Sequence, residues 1–128
     1  MLILKILKSL GKLVLDKNNN DIEQIVSRIR TLDPYKIVLF GSRATRGKDS
    51  ESDIDLLVVL DTERMSQSYE ERMRRRLMVR NILKEINSRV AIELIIYTKS
   101  EYEYLQSQGA YFLKEIENSG KALYEKTG

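Results

Sequence analysis

The chain reads as an α+β protein, a small mixed β-sheet covered by helices, and three observations carry that reading. Three apolar runs, KIVLF, DIDLLVVL and VAIELIIY, are too short for helices and rich in β-branched residues. The segments around them repeat their apolar residues at helical spacing. The resulting order, helix, strand, strand, helix, strand, helices, is that of a sheet with helices packed on it.

The first element is MLILKILKSLGKLVL. Lys5, Lys8 and Lys12 fall three and four residues apart, with Leu2, Ile3, Ile6, Leu7, Leu10 and Leu13 around the rest, which predicts an amphipathic helix. The lysines interrupt the apolar run and no small-residue cleavage site follows, so the segment does not read as a signal peptide. It is too short and too charged to span a membrane. It packs on its own domain or on a partner, or else lies on a membrane surface.

After the polar break DKNNN, the stretch DIEQIVSRIRTL places Ile22, Ile25, Ile29 and Leu32 on one helical face, and Asp21 with Gln24 suits a capping box. Asp33-Pro34 ends it, because proline disfavours helical geometry in the residue before it. Residues 66–88 return to helical spacing, with Tyr69, Met73, Leu77, Ile82 and Ile86 near one face. VAIELIIY, residues 90–97, is the third strand. Two short helical stretches follow around Tyr102 and Phe112, broken near Gly109 and Gly120, and KALYE forms a short edge strand. At 128 residues the chain is expected to be one domain, residues 1–128, with 1–20 as an N-terminal amphipathic helical extension.

Composition narrows the chemistry. There is no cysteine, which excludes disulfides and thiolate metal sites and makes a reducing cytoplasm the natural compartment. There is no histidine either, which removes imidazole zinc sites, Ser/His/Asp hydrolysis and every histidine base. Carboxylates, lysine and tyrosine are left for acid-base work or metal binding. A net charge of +3 permits an anionic ligand without demanding one.

Asp53 and Asp55 are two apart, so a strand starting at or just before Asp53 points both carboxylates to one face. Like charges that close repel, and a divalent cation removes the difficulty. Read alone, the pair also suits a turn at a strand edge. Glu93 lies inside VAIELIIY, in what should be a buried strand, where an unpaired charge costs on the order of several kcal/mol. It either pairs with a cation such as Arg43 or Lys36, or joins Asp53 and Asp55 as a third oxygen ligand in a hard site suited to Mg²⁺. Gly41-Ser42 supplies the complementary half: a glycine straight after a strand lets the backbone approach a ligand, and the following amides, the Ser42 hydroxyl, Arg43 and Arg46 suit a phosphate, although Gly-Ser alone is often only a turn. GSRATRGKD is not a P-loop, because its spacer is one residue too long, Asp49 replaces the required Ser or Thr, and a polar loop rather than a long helix follows.

Together, Gly41-Ser42 within GSRA, Asp53-Ile54-Asp55 within SDIDLLVV and the later carboxylate Glu93 resemble the polymerase-beta-type nucleotidyltransferase superfamily, in its minimal, single-domain branch. The resemblance covers roughly residues 21–125, including the GKALYE ending. It implies the polymerase-beta-type fold and Mg²⁺-dependent nucleotidyl transfer, with ATP as substrate. Asp53 and Asp55 would hold two Mg²⁺ ions, Glu93 would complete the site, and Gly41, Ser42 and Arg43 would hold the triphosphate. Glu93 stands where many members of that branch have aspartate.

In that branch the partner is often a small helical protein of the HEPN type, a ribonuclease toxin that the nucleotidyltransferase neutralises, in some cases by attaching AMP to a tyrosine. The resemblance therefore implies an antitoxin acting as a protein adenylyltransferase. The alternative is a non-catalytic module that neutralises its partner by occlusion. Arg72, Arg76, Arg80 and Lys84, spaced by four, form a basic ridge, whereas Arg74 and Arg75 have Glu70 and Glu71 one turn earlier as partners. The ridge is a solvated face, or it meets an acidic partner; nucleic acid suits it poorly because no stacking aromatics are interleaved. An oligomer is compatible with all of this.

Overall fold

The structure, a computed structural model, describes residues 17–46, 53–65 and 68–127. The N-terminal amphipathic segment and the loop from 47 to 52 lie outside the described residues. In chain order the elements are α1 (Lys17–Arg30), β1 (Pro34–Phe40), α2 (Ser42–Arg46), β2 (Ile54–Leu60), α3 (Tyr69–Ile82), α4 (Lys84–Asn87), β3 (Ile92–Thr98), α5 (Lys99–Ser107), α6 (Tyr111–Ser119) and β4 (Lys121–Glu125).

The four strands form one sheet in the order β3-β2-β1-β4. β1 runs antiparallel to both β2 and β4, while β2 and β3 are parallel, so the sheet is mixed. Alternation along β2 splits the core between two faces. Leu56, Val58 and Leu60 join Ile25 and Ile29 of α1, Ile37 and Leu39 of β1 and Val79 of α3 on one side. Leu57 and Val59 meet Val38, Tyr102, Leu113 and Ile116 on the other. A strand covered on both faces must be apolar at every position, which is why LLVVL does not alternate.

Two helices differ from the sequence expectation. α1 is already formed at Lys17, so the KNNN of the expected break is helix, and Asp21 stands inside the helix instead of capping it. Asp21 accepts from Arg89, and Gln24 donates to Asn20, so these polar side chains serve within and beyond the helix. The helical stretch expected over 66–88 divides into α3 and α4, and its buried positions among the described residues are Val79, Leu83 and Ile86. Tyr69 and Leu77, expected to face the core, are 66% and 58% exposed. Val79, in the C-terminal half, is the buried residue of α3, so apolar spacing in its first half does not mark a buried stripe.

The long helix also distributes its charges between elements. Arg75 donates to Glu101 of α5 at 2.8 Å, Glu71 accepts from Arg64, and Arg76 donates to the Leu94 carbonyl of β3. Arg76 therefore leaves the expected ridge and ties α3 to the sheet edge.

Candidate active site

β1 ends at Phe40 and the chain turns sharply at Gly41, whose φ of +75° is readily adopted only by glycine. A second constraint is steric: a Cβ at this position would lie 2.2 Å from the Asp55 Oδ2 atom. The turn backbone is thus packed directly against that carboxylate. The Gly41 carbonyl accepts from the amides of Ala44 and Thr45, which opens the single turn of α2, and buried Ala44 pins that turn to the core.

Register places the carboxylates. Asp55 is the cross-strand partner of Phe40 in β1 and of Glu93 in β3. Asp53 precedes β2 by one residue, and strand parity puts it on the same face as Asp55, the face that carries Leu57 and Val59. Three segments distant in sequence therefore bring Gly41, Asp53, Asp55 and Glu93 to one end of the sheet. Asp55 is pushed above the usual carboxylate range, first by burial and then by the negative charges of Asp53 and Glu93.

Glu93 does not match the expected burial. It is exposed, with buried Ile92 and Leu94 on either side. β3 is an edge strand and Glu93 is its second residue, so the carboxylate stands at the rim, where solvent carries its charge. No buried-charge penalty explains its presence; what ties it to the site is its position opposite Asp55. Among the described residues, no three Asp or Glu side chains are gathered closely enough to hold one ion between them as they stand. Side-by-side like charges favour that separation. The oxygen-only donor set and the opposed ionisation of Asp55 suit a hard divalent cation.

Ser42 is partly exposed at the start of α2, whereas Arg43 is only 6% exposed and is the least solvent-accessible of the three turn residues. The side chain of Arg46 lies outside what is described. Asn87, unremarked in the sequence reading, accepts from the Ile92 amide at 3.1 Å and fixes the entry into β3 one residue before Glu93. An asparagine at a helix-to-strand junction was the available signal.

The family model for polymerase beta nucleotidyltransferases matches residues 20–127. None of the curated proteins compared with the chain matches it. Among solved structures, the chain is similar to one described as a crystal structure of a toxin-antitoxin with AMP-PNP, at 19% identity and a TM-score of 0.48, over 82% of this chain and 73% of that one. In the described residues, no helix is long and apolar enough to cross a membrane. With the family model spanning the whole sheet and the carboxylate end of it, the chain belongs to the polymerase beta nucleotidyltransferase family.

Proposed function

We propose that this nucleotidyltransferase moves AMP from ATP to a hydroxyl acceptor, a tyrosine of a HEPN-type toxin partner, and acts as the antitoxin of that pair in the cytoplasm. The observation that carries the reading is the Gly41 turn pressed against an Asp55 carboxylate whose ionisation is opposed first by burial and then by Asp53 and Glu93. Membership of the nucleotidyltransferase family supports reading this juxtaposition as a triphosphate turn beside a cation site.

In this reading Asp53, Asp55 and Glu93 hold two Mg²⁺ ions, and Gly41 and Ser42 cradle the triphosphate with Arg43 behind them. Bound Mg²⁺ would supply Lewis-acid stabilisation of the entering and leaving oxygens. The acceptor oxygen bonds to the α-phosphorus, the bond to the β-phosphate bridge breaks, and pyrophosphate leaves. The hydroxyl proton passes to a site carboxylate or to water. No histidine is needed, because positioning and charge stabilisation provide most of the acceleration.

The second reading, neutralisation by occlusion, draws support from the ungathered carboxylates. One experiment separates the two: incubation with α-labelled ATP, Mg²⁺ and the product of the adjacent reading frame. Transfer predicts label on that product, lost in Asp53→Asn with Asp55→Asn. If wild type labels nothing while both forms silence the partner equally, the transfer reading fails and occlusion stands.

A further inference from the structure

A groove of about 930 Å³ runs along α3 from Thr62 and Met65 to Asn87, with Thr98 at the C-terminal end of β3 in its lining. Its floor includes Met65, Leu77 and Met78, all between 43% and 58% exposed. Arg74, Arg80 and Lys84 line it and form no side-chain ion pair among the described residues. Apolar side chains left open on a helix that buries only Val79 need an explanation beyond the fold.

Shape and charge together select the occupant. α3 has 14 residues, about 21 Å of helix at 1.5 Å per residue, so the groove is long enough for three turns of a second helix. Free cations beside an apolar floor call for a helix with an apolar seam and acidic flanks. A second copy in a two-fold contact would set Arg74, Arg80 and Lys84 against themselves. The chain's own first sixteen residues carry Lys5, Lys8 and Lys12 against a single acid, Asp16, and are equally mismatched. Among the described residues no aromatic side chain lines the groove, which removes the stacking platform a single-stranded nucleic acid would use.

We infer that the α3 groove is a docking site for an amphipathic helix of a partner protein, held by an apolar seam on Leu77 and Met78 and by acidic side chains on Arg74, Arg80 and Lys84. The inference does not depend on the transfer chemistry, and its test reads binding alone.

The probe is a capped, fluorescein-labelled helical peptide of about 18 residues, with leucines three and four apart and glutamates on both flanks, titrated with the full chain. A control peptide replaces each glutamate with lysine. The acidic peptide should saturate and bind at least about tenfold tighter than the control. Leu77→Asp with Met78→Asp should abolish binding, and Arg74→Glu with Arg80→Glu should reverse the preference between peptides. Circular dichroism confirms that each variant folds, and the exposed arginine pair provides the test should the apolar pair fail to fold. The proposal is overturned if wild type does not distinguish the peptides, or if both double variants bind the acidic peptide as wild type does. It is equally overturned if sedimentation shows a dimer that these substitutions dissolve, since the surface would then belong to a second copy.

Discussion

At the scale of single residues, the most constrained position is Gly41. Its positive φ and the closeness of Asp55 are separate demands, and any side chain violates both. Gly41→Ala is expected to cost about 1–2 kcal/mol from the left-handed backbone alone. Asp55 can rotate away from the new methyl, but only by abandoning its place beside the turn, so nucleotidyl transfer should fall by about a hundredfold or more, as expected for a displaced catalytic geometry. Melting curves and label transfer measure the two effects separately. A residue with no part in the site makes a useful contrast. Tyr102 is 3% exposed, donates to Glu117 and accepts from Lys36 Nζ at 3.3 Å, and burial followed by Glu117 pushes its hydroxyl far above the usual tyrosine range. Tyr102→Phe should lose about 1–3 kcal/mol in urea melts, because polar partners are left behind, while transfer activity is retained.

Among the elements, α5 shows best how a short sequence signal fixes a boundary. Thr98 closes β3 and caps α5: its hydroxyl accepts from the Glu101 amide, and the Glu101 carboxylate accepts from the Thr98 amide. Glu101 also receives Arg75, so one carboxylate joins the cap to α3. Thr98→Ala should therefore cost about 1–2 kcal/mol, at the upper end for a cap, while Thr98→Ser should recover most of it. Hydrogen exchange of the first-turn amides of α5 locates the loss. Caps of this kind were legible in principle, since Thr-x-x-Glu stands openly after an apolar run. The strands were legible too, because their runs match the observed spans within about two residues. The buried face of α3 was not, because periodic apolar residues state which side chains could be buried together, and not whether a sheet lies beneath them. Tyr69 and Leu77 keep the spacing of a core stripe but extend beyond the surface that α3 covers.

Across the whole molecule, what the sequence alone could not supply was register. The Asp-x-Asp pair was readable as one face of a strand, but only the parallel pairing of β2 with β3 sets Glu93 opposite Asp55. The expected reason for Glu93, a charge trapped in a buried strand, was wrong, because edge position depends on strand order and strand order depends on the complete chain. The corrected reason leads to a test of the site as a thermodynamic unit. Asp55 ionises less readily in the folded chain than in the unfolded one, so its contribution to stability is present at pH below its unfolded value of 3.8 and is lost as pH rises through its raised folded value. At neutral pH without metal, Asp55→Asn should therefore be more stable than wild type, by on the order of 1–3 °C in melting temperature. Mg²⁺ should reverse that order: a cation bound between the carboxylates stabilises only the folded state, by about 2.7 kcal/mol at a hundredfold excess over its dissociation constant. The variant, lacking one ligand charge, should gain much less. Calorimetry of both proteins in chelator and in saturating Mg²⁺ gives the four melting temperatures required. Equal Mg²⁺ gains in wild type and variant would remove Asp55 from the cation site, whereas a gain confined to wild type joins the suppressed ionisation of Asp55 and its place opposite Glu93 to one bound ion.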